Sequence, residues 1–276
     1  MQIVDASRCE WKRYQHPREG TLEVKPLGRG SADGVNFNLT LTRYGEGSDA
    51  FATPRHHHTF EQVRVPLAGS LNYGPGEEIP EGWVAYFPAG APYGPQRVSG
   101  GVILLLQFGE DYLSSSQYKE AHARLEARGR FEGGDYHDTD PDTGQPRTQD
   151  AVDAVWTEAL GRPIRHPKPR YPAPILIDPE AFEWSPLAED PAVEVKRLGT
   201  FTEREVSISR VRLNGGVLGL GPDRTQLVFS LTDGLEVQGA PHGAWTAVWS
   251  PTGEEGALSA ASGAEALVVE LPRPRR

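Results

Sequence analysis

His56 and His58 stand two residues apart in the stretch Thr53-Pro-Arg-His56-His57-His58-Thr-Phe-Glu61-Gln62. On a β-strand, residues two apart face the same side. Gln62 has the same parity, so two imidazoles and one amide oxygen can point into one cavity. Imidazole nitrogens suit first-row metals such as Fe, Mn, Ni, Cu and Zn. Arg64 shares that parity. An arginine facing a protein interior needs an anionic partner. A substrate carboxylate or phosphate held bidentately would serve, and so would an Asp or Glu of the chain. His57 and Glu61 have the opposite parity and are expected to point away. A β-bulge would reverse the order and bring Glu61 inward in place of Gln62.

Such a set needs short, closely turned strands to hold it. Glycine (31) and proline (24) punctuate short apolar runs along the chain, which is the pattern of many strands joined by turns. In the first half the runs are Val35–Tyr44, Gln62–Leu67, Trp83–Phe87 and Val102–Phe108. In the second half they are Val193–Leu198, Val206–Leu213, Gln226–Leu231, Trp245–Trp249 and Ala266–Leu271. Val35–Tyr44 alternates, with Phe37, Leu39 and Leu41 on one side. The middle of the chain differs. Asp111–Arg128 has helix formers with Tyr118, Ala121, His122 and Leu125 at helical spacing, and Asp150–Leu160 carries a stripe of Val152, Val155, Trp156 and Ala159. Gly161 and Pro163 end the second helix. Asp135–Asp142 reads as a solvated acidic loop, and Pro163–Pro174 as an extended linker. The two β-rich halves repeat an order of features: a Gln-led strand (Gln62, Gln226) followed by a Trp-led strand (Trp83, Trp245). Duplication is the reading this order favours.

The spacing around His56 resembles the first motif of the cupin superfamily, and the paired halves resemble a bicupin. That motif is His-x-His, three or four residues, Glu, six residues, Gly; here His56-x-His58 is followed by three residues, Gln62, six more and Gly69. The second motif places Gly, five residues, Pro-x-Gly, two residues, His, three residues, Asn. Here Gly82, Pro88-x-Gly90, Tyr93 and Arg97 take those places. The resemblance spans about residues 35–108. Its departures are Ala50 for a glycine, Gln62 for the glutamate, Tyr93 for the third histidine and Arg97 for the asparagine.

The resemblance implies a mainly β fold: two small antiparallel β-barrels (double-stranded β-helices, a bicupin) with a helical insert between them. The expected divisions are residues 1–108 for the N-terminal barrel, 109–172 for the insert and linker, and 173–276 for a degenerate C-terminal barrel. It further implies one divalent transition metal per chain, Fe foremost and Mn, Cu, Ni or Zn as alternatives, on His56, His58 and Gln62. Tyr93 would add a phenolate, orient substrate or shuttle a proton, and Arg64 would hold an anionic group. The implied activity is that of a metal-dependent dioxygenase on a small organic substrate. A metal-dependent lyase or isomerase, a non-catalytic small-molecule-binding bicupin and a purely structural subunit are the alternatives. Aligning Gln226 with Gln62 places Leu220 and Pro222 where His56 and His58 stand, so one site per chain is expected. The second barrel would then support the first or close a homodimer surface.

Composition narrows the classes. The formal charge of −10 opposes binding to phosphate backbones, so no nucleic-acid partner is expected. Arg273–Arg276 is a short basic tail. The single cysteine, Cys9, excludes a disulfide within the chain and has no neighbour that would activate it. The start MQIVDASRCEWKR lacks a signal-peptide core, and the longest apolar run, Val102 to Leu106, is too short to cross a bilayer. A cytoplasmic protein without a membrane partner is expected. Gly-x-Ser-x-Gly, Walker and Rossmann patterns are absent from the sequence. Asp135, Asp138, Asp140 and Asp142 lack the glycine and glutamate spacing of a calcium loop.

Overall fold

The computed structural model describes residues 1–32, 34–109, 112–201 and 206–273. It is mainly β, with two α-helices among the described residues, α1 (Ser115–Glu126) and α2 (Ala151–Leu160). The chain divides into two compact units. One comprises Trp11–Val24 and Leu41–Leu176, the other Met1–Glu10, Lys25–Thr40 and Ile177–Arg276. Among the described residues no helix is long and apolar enough to cross a membrane.

Two seven-stranded sheets share one wiring. The first runs in the order Ile175–Ile177, Val84–Phe87, Glu61–Ala68, Val102–Gly109, Val35–Tyr44, Leu22–Ala32, Lys12–Tyr14. The second runs Gln2–Asp5, Thr246–Ser250, Gln226–Ser230, Ala264–Glu270, Val206–Leu213, Val193–Phe201, Ser185–Pro186. In both, the Gln-led strand lies between the Trp-led strand and the last long strand of its half. The repeated order of features in the sequence thus has a repeated strand order behind it.

The strands form where the apolar runs lie. On Val35–Tyr44, Phe37, Leu39 and Leu41 are at most 2% exposed, and Thr40 and Thr42 on the other face are buried as well. The eleven-residue strand Leu22–Ala32 was masked in the sequence by Pro26, Gly28 and Gly30. Those glycines have a packing reason: a Cβ on Gly30 would meet Phe37 at 2.7 Å, and one on Gly28 would meet Trp249 at 3.3 Å.

The helices start and stop on their caps. Ser114 and Gln117 form a reciprocal capping box, which begins α1 at Ser115; Asp111, in the expected Asp111–Arg128 helix, lies outside the described residues. The side chain of Asp150 accepts from the backbone N–H groups of Val152 and Asp153, and Gly161 at φ 65° closes α2 in the left-handed region. Tyr118, Ala121 and Leu125 of α1 pack with Val152, Val155 and Trp156 of α2. Phe60 joins this cluster, so the insert's core reaches the loop that carries the three histidines.

The acidic segment is a correction. Asp135–Thr139 is a strand, paired with Arg130–Glu132 and Pro146–Asp150, where a solvated loop was expected. Tyr136 is fully buried and donates to the Leu125 carbonyl, while Asp138 pairs with Arg147. Burial of one aromatic and pairing of one carboxylate offset the charge that made the segment read as loop. Of the basic tail, residues 274–276 lie outside the described residues.

Candidate functional site

The candidate site lies wholly within the unit of Trp11–Val24 and Leu41–Leu176. The strand Phe51–Thr53 leads into a loop that carries His56, His57 and His58, and the strand Glu61–Ala68 follows. His56 is held by a two-way backbone bridge with Tyr93, N–H to carbonyl in both directions at 3.0 Å. The loop thereby keeps the alternation of a strand over these residues. His56 and His58 turn to one side, with ring centroids 4.9 Å apart and 4.4 and 6.0 Å from Tyr93. His57 turns the other way.

The register of Glu61–Ala68 is regular at its start. Glu61 opposes Phe108 and Gln62 opposes Gln107, and the irregularity in this pairing lies at Val102/Ile103. No bulge exchanges Glu61 for Gln62. Gln62 (1% exposed) and Arg64 (7%) therefore both point inward.

Inside, these side chains bind one another. Arg64 donates from Nε and Nη2 to Gln62 Oε1 at 3.2 and 2.9 Å, and from Nη2 to the Tyr93 hydroxyl at 2.7 Å. Gln62 Nε2 donates to the same hydroxyl at 3.1 Å, and His58 Nε2 lies 3.0 Å from it. A phenol oxygen has two lone pairs. Both are taken, so the Tyr93 proton goes to His58 Nε2. The tautomer that follows carries its hydrogen on Nδ1, which is buried without a partner. The ring stacks on Phe60 at 4.5 Å. Burial, with His56 and Arg64 adding to it, holds the His58 pKa well below the ordinary value, so the ring is neutral. The Arg64 charge rests on the faces of Phe87 (4.4 Å) and Tyr93 (5.0 Å). Among the described residues no Asp or Glu is paired with Arg64; its hydrogen-bond partners are an amide and a phenol.

His56 has a different setting. Its Nδ1 lies 2.8 Å from the Pro54 carbonyl, which fixes the hydrogen on Nδ1 and leaves Nε2 as an acceptor. Burial, with the nearby Arg18 charge, pushes its pKa down to about 3. His56 also lines a cavity of about 300 Å³, together with Arg55, His57, Pro92, Asp150 and Asp153.

A second cluster opens on that cavity. His57, Asp153 and His166 each offer one ligand atom, and these atoms lie within 4.8 Å of one another. The rings of His57 and His166 are 3.7 Å apart, and His166 Nε2 is 2.9 Å from Asp153 Oδ2. Burial lowers the His57 pKa, with His166 adding to it. For His166 burial works against the charged ring, but the hydrogen bond and charge of Asp153 outweigh it and raise the pKa. Asp153 stands in the first turn of α2, which Asp150 caps; Asp150 in turn pairs with the buried Arg18 at 2.6 Å. His166 comes from the proline-rich segment. That segment passes close over Gly90, where a Cβ would stand 2.0 Å from the Pro167 carbonyl oxygen. Asp153 and His166 stand about a hundred residues beyond His57, and no local spacing in the sequence joins them.

The two places differ as hosts for a divalent metal. At His56, His58 and Gln62, the amide oxygen is taken by Arg64 and His58 Nε2 by Tyr93. Among the described residues no carboxylate is bonded to this set, and a guanidinium lies against the same atoms. Two like unit charges about 4 Å apart cost roughly 4 kcal/mol at an intermediate effective dielectric. That donor set, as arranged, does not fit a metal. Two imidazoles and one carboxylate at His57, Asp153 and His166 do fit one by their chemistry.

Comparison with known proteins gives a fold. No known family profile matches the sequence, and no curated protein matches it. Solved structures of cupin fold do match, over nearly the whole chain. A candidate dioxygenase from Nostoc punctiforme aligns with a TM-score of 0.63 at 11% identity, covering 99% of this chain and 82% of that one. Streptomyces albus HEPD, with 2-hydroxyethylphosphonate and Fe(II) bound, aligns at 0.56 and 12%, covering 99% and 76%. Lactobacillus farciminis oxalate decarboxylase, in a formate complex, aligns at 0.54 and 13%, covering 99% and 86%. The fold of this chain is the cupin fold, and the proteins that share it include enzymes of dioxygenase and decarboxylase type.

Proposed function

We propose that this chain is a bicupin enzyme that uses one divalent transition metal, iron foremost, to carry out dioxygenase chemistry on a small anionic organic molecule. The observation that carries the reading is the cavity of about 300 Å³ on which His56, Arg55, His57 and Asp153 converge. His57, Asp153 and His166 would hold the metal. Two histidines and one carboxylate with open positions are the ligand type of non-haem iron oxygenases. When bound, the metal would supply Lewis acidity and, as iron, redox chemistry with dioxygen. The set His56, His58 and Gln62 is the alternative host, and its engaged donors weigh against it. The Fe(II) bound in the HEPD structure and the shared fold support a metal; neither fixes the substrate.

The chain's own residues divide the remaining work. Arg55 is exposed at the cavity and offers a cation to an anionic group. His56, neutral and tied through Nδ1, presents an uncharged acceptor. Asp150 is neutralised by Arg18 and holds α2, and with it Asp153, in place. The repeated strand order supports the second half as a duplicated barrel that has lost its site: Leu220 is buried in the apolar core there.

The test is metal uptake by protein stripped with chelator and exposed anaerobically to Fe(II), or to Co(II) as a stable surrogate. About one ion per chain is expected, with a rise in melting temperature of several degrees at saturating metal, since binding to the folded form stabilises it. The pair His57→Ala/His166→Ala should abolish both. No uptake of either ion by folded protein would overturn the reading.

A further inference from the structure

We propose that Arg64 takes the place of a metal ion in the interior of this unit, so that the His56–His58–Gln62–Tyr93 constellation is a metal-free, hydrogen-bonded core. The geometry alone carries this. A metal there would draw on Gln62 Oε1 and on ring nitrogens beside Tyr93. The Arg64 guanidinium already donates twice to Gln62 Oε1 and once to the Tyr93 hydroxyl, at 3.2, 2.9 and 2.7 Å. Tyr93 in turn satisfies His58 Nε2 at 3.0 Å. The network is directional: guanidinium and amide donate to the phenol, and the phenol donates to the imidazole. Gln62 Oε1, the Tyr93 oxygen and His58 Nε2 are each spent on a hydrogen bond, which leaves a cation only His56 Nε2.

The residue types agree with the geometry. A metal site usually supplies negative charge, yet this one has an amide at Gln62 and a phenol at Tyr93. With a guanidinium beside them, a carboxylate at position 62 would pair with Arg64 and leave no need for the present network. With an amide there, the cation is solvated by neutral oxygens and by the faces of Phe87 and Tyr93, at 4.4 and 5.0 Å. The charge needs no counter-ion from outside, and a second cation is repelled. Arg64 is 7% exposed, so solvent does little to screen that repulsion.

The inference does not depend on where the functional metal binds, and its test separates the two. The background is the full chain with His57→Ala/His166→Ala, which removes the other candidate ligands. In that background Co(II) should be absent, with no d–d absorption at any excess up to millimolar. Adding Gln62→Glu and Arg64→Leu should open the interior: about one Co(II) per chain should appear, with visible absorption, and a further His56→Ala/His58→Ala should remove it. Circular dichroism and a cooperative melt establish that each variant is folded. Where the quadruple variant does not fold, the wild-type interior still answers through the His57→Ala/His166→Ala protein. Co(II) bound by that protein and lost on His56→Ala/His58→Ala overturns the proposal, as does a folded quadruple variant that binds none. A wild-type chain that binds no metal anywhere would instead count against the proposed function and leave this inference standing.

Discussion

At the scale of single residues, what one guanidinium touches sets the character of the interior. Parity along the chain placed His56, His58, Gln62 and Arg64 on one side, and the side chains do gather around Tyr93. What parity could not give is that they would satisfy one another, because hydrogen-bond pairing depends on distances of a few tenths of an ångström. Tyr93 is the acceptor on which both Arg64 and Gln62 depend. Tyr93→Phe removes that oxygen, leaves two buried donors short of a partner and should cost about 1–3 kcal/mol. Urea unfolding measures this. It should leave metal content unchanged. A loss below about 0.5 kcal/mol would mean that the network contributes little.

At the scale of elements, the second cluster depends on α2 and on the proline-rich segment behind it. The helix is legible from its apolar stripe and its Gly161 stop, and the Asp150–Leu160 pattern includes its cap, Asp150. Its role as an anchor was not legible: Arg18, on a distant segment, pairs with the capping carboxylate at 2.6 Å and is itself buried. Asp150→Ala removes two capping bonds, at 2.9 and 3.1 Å, and leaves the charge of the buried Arg18 without its carboxylate. The expected loss is about 2–5 kcal/mol, the upper part from the stranded charge. Asp150→Asn keeps a capping oxygen and should lose less. Metal affinity should fall in both, in the same order, since Asp153 sits in the turn that the cap fixes. An Asp150→Asn variant as stable as the unaltered protein in denaturant titration would remove the anchoring role of Arg18. His57 shows the same limit of sequence reading from the other side. Its outward parity was plain, but its partners Asp153 and His166 come from a folded insert that no short-range pattern connects to it.

At the scale of the whole molecule, the strand wiring was readable as repeated features, while the long strand Leu22–Ala32 was hidden because proline and glycine there serve packing rather than turns. Global stability should report the half-buried imidazoles. His56 and His16 are both pushed down to about 3 chiefly by burial, with Arg18 adding to each. Their unfolded values are near 6.5. Below that pH the unfolded chain binds protons that the folded chain refuses, so stability present above 6.5 is lost as pH falls toward 3. Each contributes a slope of about 1.4 kcal/mol per pH unit in that window. His166, whose pKa is raised, acts in the opposite sense: its contribution is full below 6.5 and fades as pH rises above it. Denaturant titrations of metal-free protein at pH 6.5, 5.5 and 4.5 should give a steep decline. A flat profile would mean that these rings are solvated in the folded chain.

A crystal of the Co(II)-loaded chain, with data collected at the cobalt absorption edge, would locate the ion directly. One anomalous peak is expected among His57, Asp153 and His166, at the border of the cavity that His56 and Arg55 line. A peak enclosed by His56, His58, Gln62 and Tyr93, with the Arg64 side chain swung away, would contradict that placement.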